Sequence, residues 1–103
     1  MRMLIAALLV LASTPAAMAI DPAAQRGFTF VETNCAMCHA TGKYGESKNP
    51  LSPPFRTLHE RYPVENLAEA ISKGIVTGHP NMPAFSLDPG QINDVIAYLK
   101  TLE

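Results

Sequence analysis

Apolar residues recur at helical spacing near the end of the chain, where they form one stripe: Ile92, Val95, Ile96, Leu99 and Leu102. Such a stripe predicts a terminal helix with one face against a core. Asp88 and Gln91 lie three residues apart just before the stripe. This spacing predicts a capping box at the start of the terminal helix.

Two earlier segments also have helical patterns. Asp21-Pro22 predicts an N-cap followed by proline at the first helical position, and apolar spacing predicts that this helix ends near Cys35. Tyr62-Pro63 opens a second helix, for which Gly74 is the expected C-terminal stop. The pattern therefore predicts three helices.

Between the helices the composition shifts toward Gly, Ser, Asn and Pro, over residues 41–54 and 75–86. Such composition predicts extended loops. Residues 55–61 are too few for a firm assignment and allow one turn of helix. Because no segment alternates apolar and polar residues with period two, we predict an all-α fold in one small domain.

The first residues are typical of an export signal. Arg2 precedes an apolar run over residues 3–12, and Ala17-Met18-Ala19 suits a signal peptidase. We therefore expect residues 1–19 to be a cleaved signal peptide, residues 20–103 to be the domain, and the periplasm to be its location. A retained anchor is the weaker alternative, because a spanning helix needs about 20 apolar residues. After cleavage we expect no stable membrane span.

The net charge and the number of cysteines exclude some classes of function and of stabilisation. Without residues 1–19, seven Lys and Arg oppose nine Asp and Glu, a net charge of −2, so we expect no nucleic-acid partner. A domain of this size buries too little surface to be stable without help. Two cysteines allow one disulfide at most, so something else is expected to fill the core.

Cys35, Cys38 and His39 are spaced so that a helical turn presents all three side chains on one side. A redox dithiol would need a βαβ unit, which the sequence lacks. A zinc site would have to borrow His59 or His79 as its fourth ligand. The remaining minor alternative is a local disulfide, or cysteines that merely pack.

Cys-x-x-Cys-His is the signature of c-type haem attachment. Each thiol adds to one haem vinyl group as a thioether, and the adjacent histidine is held beneath the iron as its proximal ligand. The sequence therefore predicts one covalently bound haem c, attached through Cys35 and Cys38 and ligated by His39.

With this motif the chain resembles the class I cytochromes c over essentially all of residues 20–103. In that family a glycine lies eight residues before the first cysteine, as Gly27 does here, and an aromatic of the terminal helix crosses it, a place that Tyr98 occupies. The resemblance implies an all-α fold packed around one haem, and electron transfer rather than enzymatic catalysis.

The second axial ligand is predicted to be Met82. Its surroundings, Asn-Met-Pro-Ala-Phe, resemble the ligand loop of small bacterial and photosynthetic members. Met37 lies between the two cysteines and cannot reach the opposite haem face. His79 is the rival ligand, and the alternative for Met82 is an ordinary packing role.

Further haem contacts follow from the resemblance with less support in the residues themselves. Pro53, with Pro54 as the alternative, matches the family proline whose carbonyl accepts a hydrogen bond from the ligand histidine. Arg56, Arg61 and Tyr62 are candidates for the haem propionates, or are solvated surface residues. The expected pocket and core residues are Phe55, Leu58, Leu67, Ile71, Phe85, Ile96 and Leu99.

The resulting hypothesis is a monomeric periplasmic carrier that passes single electrons between redox protein partners, such as a membrane complex and a dehydrogenase or oxidase. Three alternatives remain open. The first is a haem subunit dedicated to one periplasmic oxidoreductase. The second is a haem-based redox or gas sensor with a displaceable sixth ligand. The third is a binding module without haem.

Overall fold

The computed structural model describes residues 9–15, 21–73 and 86–103. Within these ranges the regular structure is entirely helical, which confirms the predicted all-α fold. The elements are helix α1 (Pro22–Asn34), the 3-10 helices η1 (Phe55–Glu60) and η2 (Val64–Asn66), and helices α2 (Leu67–Lys73) and α3 (Pro89–Lys100). The predicted loop at 75–86 lies outside the described residues except for Ser86.

Helix α1 begins as its sequence predicts. The Asp21 side chain caps it by accepting a hydrogen bond from the Ala23 amide at 3.3 Å, and Pro22 occupies the first turn. Its buried residues are Ala24, Gly27 and Val31. These three recur at intervals of three and four residues, so they form a single inward stripe.

Helix α3 begins with the predicted capping box. The Asp88 carboxylate accepts from the Gln91 amide at 2.9 Å, and the Gln91 side chain accepts from the Asp88 amide at 3.2 Å. Both bonds satisfy amides that a helix start leaves without partners. The buried residues of α3 are Ile92, Val95, Tyr98 and Leu99, so the predicted stripe forms the core face.

Helices α1 and α3 cross in close contact. A Cβ added at Gly27 would lie 2.8 Å from the Cβ of Tyr98, so the crossing depends on the missing side chain. The Phe28 and Tyr98 rings pack beside it with their centroids 5.4 Å apart. At the same level, Arg26 holds both carboxylate oxygens of Asp94 at 3.0 Å. The predicted crossing of Gly27 by Tyr98 is confirmed.

The middle of the chain differs in detail from the prediction. The second helix does not begin at Tyr62-Pro63 but passes through the 3-10 turn of η2 before α2 starts at Leu67. The Asn66 amide donates to the Pro63 carbonyl at 3.0 Å, and no side chain caps this end. A tighter first turn is a common way to satisfy amides at an uncapped start. Residues 55–60 form the short turn that the sequence allowed.

Among the described residues, none of the helices combines the length and apolar character that crossing a membrane requires.

Candidate functional site

A cavity of about 360 Å³ lies between the helices. A water molecule in the liquid takes about 30 Å³, so this space suits a much larger group. Its walls are mostly apolar. The helical side chains that line it are Phe30, Val31, Phe55, Leu58, Leu67, Ile71, Val95 and Leu99.

The Cys-x-x-Cys-His motif lies at the end of α1, beside this cavity. Cys35 is the C-cap of the helix, and its carbonyl accepts from the His39 amide at 2.9 Å. The chain therefore continues through one further helix-like turn between the two residues. Cys35 and His39 both line the cavity. The local fold thus places a thiol and an imidazole on one wall.

His39 is oriented by a backbone group. Its Nδ1 lies 2.8 Å from the Pro53 carbonyl oxygen. Because a carbonyl can only accept, Nδ1 must carry the hydrogen, and Nε2 is then the nitrogen left for a metal. The Phe55 ring packs against the imidazole, with centroids 4.8 Å apart. The contact predicted for Pro53 is therefore present in the structure.

The thiols do not favour the alternatives considered from sequence. Both cysteines are free, so no disulfide joins them. Burial raises the pKa of Cys35 to about 11, which disfavours the thiolate that a redox dithiol uses. In the described part of the chain, no three His, Cys, Asp or Glu side chains are grouped to hold a metal ion.

Of the other residues predicted to contact the haem, some line the cavity and others do not. Tyr62 and Arg61 line the cavity. Arg56 instead donates to the Gly45 carbonyl at 2.6 Å and is not among the lining residues. His59 lies in a separate surface cleft together with Glu65.

Met82, its rival His79 and Phe85 lie outside the described residues. Of the other expected pocket and core residues, Ile96 packs against the core while the rest line the cavity: Phe55, Leu58, Leu67, Ile71 and Leu99.

Two features of the site were missed from sequence. Leu87 is buried and lines the cavity. It precedes the Asp88 cap, and Ile92 at the fourth helical position is buried in the same core, so the hydrophobic-staple pattern would have found it. The second feature is a hydrogen bond from the Tyr98 hydroxyl to the Thr41 carbonyl. No sequence signal marks this contact between distant residues.

The residues present fit a haem attached at this motif. The cavity is large and apolar, as a flat, mostly apolar group requires. Cys35 supplies a thiol at its wall, and Cys38 lies one turn further along the chain. His39 has one nitrogen engaged by Pro53 and the other available, the arrangement that metal-ligating histidines ordinarily have.

Comparison with known proteins gives the same assignment. The sequence model of the cytochrome c family matches residues 24–103. A cytochrome c6 from Nostoc is 37% identical over 99 residues, covering 90% of this chain and 81% of the relative. A cytochrome c-553-like protein from Synechocystis is 27% identical over 85 residues, covering 82% and 74%. No solved structure gives a significant match.

Proposed function

Because the chain belongs to the cytochrome c family, whose members bind haem c covalently, we propose that His39 and Met82 are the two axial ligands of its haem iron. The chain is a small electron-carrying haem protein, not an enzyme, and its two cysteines serve for thioether attachment. The identity of the axial ligands, the cellular location and the redox partners are proposals.

The observation that carries the proposal is the bond between His39 and Pro53. It fixes the tautomer that leaves Nε2 for iron and holds the ring in one orientation at the cavity wall. Such a bond also makes the imidazole a stronger donor. The Phe55 ring, packed against His39, restricts its rotation further. These contacts support His39 as the proximal ligand.

Support for Met82 comes from the sequence and from the position of its competitor. Met37 is 81% exposed on the turn between the cysteines, on the same short stretch as the proximal ligand. A ligand to the opposite haem face must come from elsewhere in the chain. Met82, in its proline-framed segment, is the methionine that remains once residues 1–19 are removed.

When bound, the haem supplies a one-electron couple, and a His/Met pair raises its reduction potential. The chain supplies orientation and exclusion of water. Apolar walls from four helices surround the cavity, and a low-dielectric environment disfavours the added charge of the ferric state. With both axial positions taken by protein, oxygen has no open site. These properties suit a carrier better than a sensor.

We further propose that the carrier is a monomer in the periplasm, working between redox protein partners. The export signal expected at residues 1–19 supports this location. Of the polar candidates, Arg61 and Tyr62 line the cavity and are the better choices for the haem propionates. Arg56, bound to Gly45, would need to change its hydrogen bonding to contribute.

The test is a spectrum of the holoprotein, produced with its leader in a bacterium that attaches haem c. We expect covalent haem, sharp bands in the reduced state and a weak ferric absorption in the red from iron–thioether charge transfer. Met82→Ala should abolish the red band. Met37→Ala is the matched control, because its exposed side chain should leave the spectrum unchanged.

A red band that survives Met82→Ala would overturn the Met82 assignment, because another thioether would then bind the iron. Covalent haem without the red band in the unsubstituted protein would also overturn it, and His79 would be the next residue to substitute. Carbon monoxide binding to the reduced, unsubstituted protein at neutral pH would instead support the sensor. A colourless folded protein would overturn the haem site altogether.

A further inference from the structure

The three residues from His39 to Thr41, here called the ligand segment, are tied to both long helices. The Tyr98 hydroxyl on α3 donates to the Thr41 carbonyl at 2.5 Å. The Thr41 hydroxyl donates to the Glu32 carboxylate on α1. Thr41 is only 6% exposed and its bond with Tyr98 is buried, so that bond is shielded from competing water, whereas Glu32 lies at the exposed surface. The segment that follows His39 is thus anchored to the helix pair.

Further bonds hold the centre and the start of the ligand segment. The Ala40 amide donates to the Ser47 hydroxyl at 2.9 Å, and the Ala40 carbonyl accepts from the Phe55 amide at 2.9 Å. Together with the bond from the His39 amide to Cys35, they leave the segment little freedom. Its far end, Thr41, is held by the side chains of Tyr98 and Glu32.

We propose that Tyr98 is a positioning residue for the axial ligand His39; this inference rests on the role given to His39 above. The Tyr98 ring packs beside Gly27 and Phe28 in the helix crossing, so its hydroxyl has a fixed position. Because this hydroxyl donates to the Thr41 carbonyl, it also fixes the position of the ligand segment. The Nδ1 atom of His39 then stays within hydrogen-bonding distance of the Pro53 carbonyl oxygen.

The ring and the hydroxyl of Tyr98 have separable roles. A phenylalanine would keep the aromatic ring in the helix crossing but would leave the Thr41 carbonyl without this donor. The freed segment would relax, and the bond from His39 to Pro53 would weaken. A weaker bond at Nδ1 makes imidazole a poorer donor to iron. The ferrous state is then favoured, and the reduction potential rises.

The test compares the unsubstituted holoprotein with Tyr98→Phe in two measurements. We expect the equilibrium constant for reduction to increase about threefold, which is about 28 mV at 59 mV per decade for one electron. We also expect hydrogen exchange at the Phe55 amide, which binds Ala40, to accelerate about tenfold as the segment opens more often.

Leu102→Val is the control for lost stability alone. Leu102 is buried near the end of α3 but does not line the cavity. We expect this variant to unfold more easily while its reduction potential and Phe55 exchange stay unchanged. A Tyr98→Phe protein that matches Leu102→Val in both measurements would overturn the inference.

If Tyr98→Phe does not accumulate with haem, Tyr98→Trp removes the same hydroxyl donor while keeping an aromatic ring in the helix crossing. A raised potential in that variant supports the inference, and an unchanged one overturns it. Failure of the axial assignment itself would appear differently, because the unsubstituted protein would then lack the spectrum expected above for ligation by His39 and Met82.

Discussion

The backbone of Asp94 on α3 occupies the space where a side chain on Gly27 of α1 would begin. A Cβ built at Gly27 would lie 1.9 Å from the Asp94 carbonyl oxygen and 2.6 Å from its carbonyl carbon. The obstacle is backbone in the middle of a helix, which cannot rotate aside. The two helices can therefore approach this closely only with glycine at position 27.

Gly27→Ala is expected to destabilise the protein by about 3 kcal/mol, the upper end of overpacking costs. Helix propensity alone predicts the opposite sign, since alanine gains about 1 kcal/mol over glycine in a helix. The steric cost outweighs that gain. Urea unfolding of the holoprotein measures the difference.

Gly42→Ala is the matched control, because a Cβ there meets no atom within 4 Å. We expect a change of no more than about 0.5 kcal/mol. Equal stability of the two variants would show that the helices separate at little cost, contrary to the packing described above.

A second prediction concerns alkaline pH. Burial raises the pKa of Tyr98 above its ordinary value of 10.0, and the nearby charge of Glu32 raises it further. The unfolded chain therefore loses this proton at lower pH than the folded protein. The stability contributed by the neutral hydroxyl is complete below pH 10.0 and declines as the pH rises through the folded pKa.

Urea unfolding at about pH 8 and about pH 11 should show this decline. Relative to Tyr98→Phe, the unsubstituted protein should lose more stability over that interval. Tyr44→Phe serves as control, because Tyr44 is 89% exposed. If Tyr98→Phe and the unsubstituted protein had equal pH slopes, the hydroxyl would not be a buried neutral donor.

Features encoded by neighbouring residues could be predicted from the sequence. The capping box of Asp88 and Gln91 needs only a spacing of three, and the haem motif fits within five residues. The apolar stripe of α3 could be predicted because one helical period relates all its members.

The anchor of the ligand segment could not be predicted, because Thr41 and Tyr98 are 57 residues apart. Their meeting depends on how α1 and α3 cross, and a tyrosine hydroxyl can pair with any carbonyl within reach. Arg56 illustrates the same limit, since its long side chain could reach several acceptors and takes Gly45. Side-chain partners set by tertiary packing leave no local pattern.

The third prediction concerns the leader. If Ala17-Met18-Ala19 is the cleavage site, the exported protein begins at Ile20, and its mass equals residues 20–103 plus one haem. Ala19→Arg should block cleavage, because signal peptidase requires a small residue there. Met18→Arg is the control, since the intervening position does not require one. Uncleaved protein in the absence of any substitution would favour a retained anchor.

The last prediction concerns the stability of the chain when its cavity is empty. Without a group to fill it, a cavity of about 360 Å³ leaves its apolar walls without packing partners, and the loss of a single large core side chain already costs about 2–5 kcal/mol. Domains have only about 5–15 kcal/mol of stability in all. The helices that line this cavity therefore lack enough core of their own to keep it open.

We expect the chain without haem to be largely unfolded. Residues 20–103, produced without the leader in the cytoplasm, escape haem attachment and can be compared with the exported holoprotein by far-ultraviolet circular dichroism. The holoprotein should show strong helical signal and a cooperative thermal transition, because the cofactor fills the cavity and covers its apolar walls. The haem-free chain should show weak helical signal and no transition. A cooperative transition in the haem-free chain would mean that the helices close the cavity by themselves.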